Sequence, residues 1–149
     1  METMVVEVRT GAVPVVVDVT DHVTEFCRGK GDGLVNAFVP HATAGLALIE
    51  TGSGTEEDLL ATVLRLLPTS HSYVHRHGSL GHGGDHVLPA FLAPSLTIPV
   101  LAGQLALGTW QSVVLVDPNR ENPRRQLGSA SSLADGIAQR PNLVTGDRL

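Results

Sequence analysis

The chain has 149 residues and a mass of 15.7 kDa, which suits one domain with enough length to bury a core without staples. Its 42% hydrophobic and 17% charged fractions exclude a disordered chain, and aromatics at 3% leave Val, Leu, Ile and Ala to build the interior. A net charge of −5 and a pI near 5.7 exclude a general electrostatic grip on nucleic acid and a polybasic membrane surface.

Strands come first in the pattern. Met4 to Arg9 alternates in part, and Val13 to Val19 is a β-branched run. Gly11 in the short connection predicts a hairpin between them. Thr20 is placed to cap a short helix over Asp21 to Arg28, and Gly29 sits where helices commonly stop. Leu34 to Val39 reads as a strand, and Gly45 to Glu50 as a second, buried one. Thr55 to Leu67 is the clearest helix, with Thr55 and Asp58 resembling a capping box and Pro68 ending the run. Residues 69–85 are polar, rich in His and Gly, and read as irregular. Asp85 is placed to cap a helix from His86 to Leu92. Leu96 to Leu101, Gln104 to Leu107 and Thr109 to Val116 read as strands, the last the strongest, closed by Asp117-Pro118-Asn119. From Gly128 onward the pattern weakens. The expected organisation is one domain over residues 1–127 and a loosely attached tail over residues 128–149, with one helical turn near Leu133. Strands with a few helices and no regular βαβ alternation define an α+β fold.

The single cysteine, Cys27, excludes an internal disulfide and a Cys-rich zinc centre, and fits a reducing compartment. No apolar run is long enough to span a bilayer, and the N-terminal stretch carries Glu2 and Glu7 without a basic region. A cytoplasmic protein is expected, with neither nucleic acid nor membrane among its partners.

The histidines carry the strongest chemical signal. Five of the seven, His71, His75, His77, His82 and His86, fall between residues 71 and 86. Imidazole is the usual ligand of zinc-like ions and the usual proton carrier near neutral pH. The spacing matches neither a zinc finger nor a helical metalloprotease motif, and spacing alone does not say which three converge. A solvent-exposed polar loop is the bland alternative. His41 and Thr43 stand at a strand-to-strand junction, where both can face a cleft, whereas His22 reads as a surface helix position. Glu50 ends an apolar strand, as a solvated end or as a site acid. Thr109 and Gln111 flank the only tryptophan, Trp110, and offer neutral hydrogen bonds to phosphate or a heterocycle. Arg124 and Arg125 form an adjacent pair of the kind that binds phosphate or carboxylate, and alone read as a solvated turn.

Taken together, these residues resemble the YjbQ family, also called the secondary thiamine-phosphate synthase family. The resemblance rests on His41-Ala42-Thr43-Ala44, Glu50, Asp58, Tyr73-Val74-His75, His86, the run Ser95 to Val100, Gly103 to Gln111, and Pro123-Arg124-Arg125. It implies a compact, mostly antiparallel β-sandwich with two or three helices, assembled as a homotrimer with clefts near the subunit contacts. It also implies weak thiamine-phosphate synthase chemistry, which joins a pyrimidine diphosphate to a thiazole phosphate and releases pyrophosphate. On that basis His41, His75 and His86 are expected to hold a divalent metal, zinc being favoured. His41, Glu50 and His86 are the catalytic candidates. Thr43, Thr109, Gln111, Arg124 and Arg125 are expected to hold a small phosphorylated metabolite. A non-catalytic trimeric module that binds such a metabolite or a metal is the alternative. Three departures from the family pattern stand out: Ala42 for a threonine, Asp85 before the second histidine, and a break of the last strand at Gln126-Leu127-Gly128.

Overall fold

A computed structural model describes residues 1–75 and 77–134. In chain order the elements are β1 (Glu2–Arg9), β2 (Val15–Asp18), α1 (Thr20–Cys27), β3 (Gly33–Phe38), β4 (Gly45–Ile49), α2 (Thr55–Leu66), α3 (His82–Val87), a 3-10 turn (Leu88–Ala90), β5 (Ser95–Leu101), β6 (Gln104–Leu105), β7 (Ser112–Asp117) and β8 (Arg124–Leu133). The strands form two sheets, one ordered β1-β8-β3-β5-β6 and one ordered β2-β7-β4. The ladders are antiparallel. The fold is therefore α+β, with three α-helices among the described residues and mostly antiparallel sheets.

The apolar pattern explains the layering. Successive residues of a strand face opposite sides, so each strand divides its side chains between two layers. Val8, Val35, Ile98, Val100 and Leu127 of the larger sheet meet Leu46, Val113 and Leu115 of the smaller one, with Val23, Phe26 and Cys27 of α1 filling the same core. The intervening residues of β7, Val114 and Val116, face the other way and pack on Val63 of α2 and on Leu88. Because β7 is covered on both faces, it reads in the sequence as a continuous apolar run rather than an alternation.

Four expectations are corrected. β1 and β2 do not form a hairpin: β1 pairs with β8 and β2 with β7, so Gly11 turns the chain from one sheet to the other. The second helix of the histidine region starts at His82, not His86, and Asp85 lies inside it rather than capping it. The strongest strand starts at Ser112, leaving Thr109 in the preceding turn. The break placed at Gln126-Leu127-Gly128 does not exist. β8 runs unbroken to Leu133 between β1 and β3, so the boundary at 127/128 falls inside a central strand and Leu133 is extended rather than helical. The remainder of the expected tail, 135–149, lies outside the described residues. Two capping expectations also change. Val19, not Thr20, precedes α1, and the Thr20 hydroxyl instead accepts the Val113 N–H at 2.8 Å. Gly54 precedes α2 without a side-chain cap, and the Glu56 carboxylate instead takes the Gly52 N–H.

Candidate functional site

Antiparallel pairing brings distant chain segments together at one end of the sandwich. Gly45, at the start of β4, lies opposite Val116, and Val15 opposite Asp117 at the end of β7. The segment 41–43, the turn 118–123 and the start of β8 therefore share one rim, and α3 lies against it.

His75, His77, His82 and His86 converge there, with one nitrogen of each ring within 4.8 Å of the others. His82 and His86 are four apart on α3 and so share a helix face, their Nε2 atoms 2.9 Å apart. The chain just before α3 brings the other two. The ring centroids of His75 and His77 are 4.0 Å apart, and those of His75 and His86 4.3 Å. Two glycines make this packing feasible. Gly78 adopts φ +80°, and a Cβ there would lie 2.5 Å from the His82 ring. A Cβ on Gly83 would lie 2.4 Å from Cβ of Tyr73, which packs against the start of α3.

A second layer of polar groups fixes His82, which is buried. Its Nδ1 lies 3.2 Å from the Glu121 carboxylate and 3.2 Å from the Asn119 amide nitrogen. The two tautomers use these contacts differently. With Nδ1 protonated, His82 donates to Glu121 and turns an Nε2 lone pair toward the other rings, which is the arrangement that orients metal-binding histidines elsewhere. Asn119 also donates to Asp85 at 3.0 Å and accepts the N–H groups of Glu121 and Asn122. Its own N–H donates to Asp117, whose two oxygens receive Nε and Nη2 of Arg125 at 2.6 and 2.7 Å. Arg125 and Asp117 are 1% and 0% exposed, so this pair is sealed from water.

Electrostatics favour the neutral form of His75 and His86. Desolvation, then His75, His82 and His77 around it, hold the pKa of His86 below the usual imidazole value. Desolvation with His77 and His82 nearby lowers that of His75. The Ser79 N–H keeps Glu121 charged by lowering its pKa, while burial raises that of Asp85. Uncharged imidazoles are the form that ligates metal. Around zinc at roughly 2.0–2.1 Å, tetrahedral nitrogens stand about 3.4 Å apart, which falls between the 2.9 Å of His82 and His86 and the 4.8 Å limit of the cluster.

A cleft of about 320 Å³ adjoins the cluster, lined by His77, His82 and His86 and by His41, Thr43 and Arg125. A cavity of about 480 Å³ also borders the cluster, lined by His75 and His77 among others. His41 is thus beside the cluster but not in it. Its Nε2 accepts the Gln126 N–H at 2.8 Å, and the converging group contains His77 and His82 instead. Of the expected metal set His41, His75 and His86, two members meet.

Other expected residues lie elsewhere. Glu50 follows β4 and Gln111 precedes β7, at the far end of the smaller sheet, about 17 Å along β7 from Asp117 at a strand rise of about 3.3 Å. There Gln111 holds its own turn, its Oε1 accepting the Gly108 N–H at 2.8 Å, while Thr109 and Trp110 are exposed, Trp110 at 73%. Arg124 faces the opposite side of the sheet from Arg125 and lies 3.5 Å from Glu7. The adjacent arginines therefore do not act on one ligand. Sequence reasoning missed Asn119, Glu121 and the Arg125–Asp117 pair. The only sequence signal for them was a polar turn following the strongest apolar strand.

Fold and site together define a two-sheet α+β protein with a histidine cluster at one end of the sandwich. The family model described as UPF0047 protein YjbQ-like matches residues 4–130. A UPF0047 protein of Mycobacterium tuberculosis is 60% identical over 127 residues, covering 85% of this chain and 95% of its own. One from Archaeoglobus fulgidus is 35% identical over 116 residues, covering 77% and 90%. The chain belongs to the YjbQ (UPF0047) family. Among solved structures, a hypothetical protein from Aeropyrum pernix superposes with a TM-score of 0.80 at 30% identity, covering 88% of this chain and 98% of its own. A YbjQ-like protein of unknown function from Sulfolobus solfataricus does so at 0.81 and 27%, covering 89% and 96%.

Proposed function

We propose that the protein binds a divalent cation, zinc by preference, through the histidine cluster, and uses it to hold a small phosphorylated metabolite in the adjoining cleft. The observation that carries this reading is the convergence of four imidazoles within 4.8 Å beside a cleft bordered by the buried Arg125. His75, His77, His82 and His86 would hold the cation, which when bound supplies positive charge to stabilise phosphate oxygens. The cleft has little surplus positive charge of its own, because Asp117 neutralises Arg125 and Glu121 adds a carboxylate. Phosphate binding therefore depends on the metal. Thr43 also lines the cleft and offers a hydroxyl, and His41, whose Nε2 is taken by the Gln126 N–H, offers a neutral ring with Nδ1–H as donor to a bound oxyanion.

For a reaction, the family resemblance favours thiamine-phosphate synthase-type transfer, in which pyrophosphate leaves. The test pairs metal analysis of the purified protein with a pyrophosphate-release assay on a hydroxymethylpyrimidine diphosphate and a thiazole phosphate. Stoichiometric metal, phosphate-induced thermal stabilisation abolished by chelator, and metal-dependent release support it. Stabilisation without turnover supports the second reading, a non-catalytic phosphometabolite module. One observation favours that second reading: Arg124, Thr109 and Gln111 are absent from the cleft, so one chain brings few groups to a leaving pyrophosphate.

A cytoplasmic homotrimer completes the proposal. No described helix is long and apolar enough to cross a membrane. The outer face of the larger sheet exposes Val5, Leu34, Phe38 and Leu101 and carries a 270 Å³ groove over Gly128 and Ala130. That apolar face suits self-association. Light scattering is expected to give the mass of three chains for the wild type and a smaller mass for Phe38→Glu.

A further inference from the structure

The four clustered histidines are not equivalent. His82 is buried and held from behind by Glu121 and Asn119. His86 is half-buried and fixed on the same face of α3, within hydrogen-bond distance of His82. His75 and His77 are exposed. Of these two, His75 borders the 480 Å³ cavity, whereas His77 borders both that cavity and the cleft lined in part by Arg125. His77 is thus the residue that both spaces share. The backbone after it is held from moving: Gly78 lies against the His82 ring, and the Ser79 N–H is bound by the Glu121 carboxylate at 2.6 Å. Rotation of the His77 side chain, which borders both spaces, is then enough to displace its nitrogen.

The coordination arithmetic gives this geometry a consequence. Four protein ligands close a tetrahedral ion, whereas three leave a position for an incoming group. Building on the cation site proposed above, we infer that His77 is an exchangeable fourth ligand. It closes the ion when the cleft is empty and yields its position to an oxyanion, such as inorganic phosphate or a phosphate monoester, entering from the Arg125 side. His75, His82 and His86 remain as the permanent set. The exchange needs no covalent chemistry: one nitrogen donor leaves, one oxygen donor takes its place, and the freed imidazole stays in the cavity as a hydrogen-bonding group. A ligand that must first displace His77 binds more weakly by the fraction of time the position is open, so removing the ring tightens its binding.

Cobalt(II) is the probe, because its visible spectrum reports coordination number and ligand type without any assay of turnover. Wild type, His77→Ala and His82→Ala are titrated with cobalt(II), and the loaded proteins with inorganic phosphate. His77→Ala is expected to keep one equivalent of cobalt with a changed visible spectrum. It should bind phosphate about tenfold more tightly than the wild type, as expected for a minor open state of about 10%. Wild type saturated with phosphate should approach the spectrum of His77→Ala with phosphate. His82→Ala should lose cobalt. Because His77 is exposed, its alanine variant should keep the wild-type circular dichroism spectrum, and His77→Gln provides a second, bulkier replacement. Identical cobalt spectra and identical phosphate affinities in wild type and His77→Ala would overturn the inference while leaving the cation site standing. If the wild type takes up no cobalt, the cation site itself fails, and His77 exchange with it.

Discussion

Replacing Arg125 by methionine strands the Asp117 carboxylate in a place where water cannot reach it, since the two residues are 1% and 0% exposed. Removing one partner of a sealed, doubly hydrogen-bonded ion pair costs about 3–5 kcal/mol, because the remaining charge keeps its desolvation penalty. In a chain of this size that corresponds to a fall in Tm of roughly 6–20 °C, at about 2–4 °C per kcal/mol. Asp117→Leu should cost a similar amount by stranding the guanidinium. The double variant removes both charges and so should cost far less than the sum. What remains is the lost acceptor for the Asn119 N–H, worth about 1 kcal/mol. A double-mutant cycle by urea denaturation, at one fixed protein concentration, should give a coupling energy above about 3 kcal/mol. Single variants that each cost under about 1 kcal/mol, and whose costs simply add, would refute the claim that the pair is sealed. Metal affinity is a second readout, because Asp117 anchors Asn119 and Asn119 contacts His82.

Three further outcomes are expected. Glu121→Gln keeps the shape of the turn but removes the carboxylate behind His82, and should weaken zinc binding about 10–100-fold in a competitive chelator titration; unchanged affinity would mean that Glu121 does not orient the ring. His41 accepts the Gln126 N–H through Nε2, and burial, then the Arg125 cation, lowers its pKa in the fold. Its contribution to stability is thus complete above about pH 6.5 and is lost as pH falls through the lowered folded value. The urea midpoint of the wild type should accordingly drop more steeply than that of His41→Asn between about pH 7 and pH 5, and parallel curves would count against this role. Gly83→Ala puts a methyl group 2.4 Å from Tyr73 Cβ, so calorimetry should show a loss of about 1–3 kcal/mol, and a variant as stable as the wild type would mean that the contact is not tight.

Much of this was legible from local pattern, and the failures share a cause. Leu34 to Val39 and the run Val113 to Val116 announced themselves because one or both faces are packed with aliphatic side chains. The hairpin expected at Gly11 failed because the partner of β1 is β8, more than a hundred residues away, and no local signal reports a distant partner. β8 was misread because its second half is built from Gly128, Ser129, Ala130, Ser131 and Ser132. Ser129 and Ser131 are nevertheless buried on the core side, where apolar residues are the usual sign of a strand, and the Ser129 hydroxyl finds no hydrogen-bond partner among the described residues. The histidine cluster was visible as a concentration of one residue type, but its membership depended on folding. The i,i+4 spacing of His82 and His86 becomes informative only once α3 begins at His82. Arg124 and Arg125 looked like a pair because they are neighbours in sequence, yet in a strand neighbours face opposite sides.

The position of β8 also bears on how the chain reaches its fold. β1 and β3 do not touch as partners; each is hydrogen-bonded to β8, which is the last strand among the described residues. During synthesis, the first strand must wait with an unpaired edge until residues 124–133 have emerged, so the larger sheet can close only late in translation. Such long-range closure places the protein among slow folders, for which the unpaired strand is an aggregation risk until its partner arrives. The same ten residues carry Arg125 at one end, and their insertion therefore closes the larger sheet and completes the wall of the cleft in a single event.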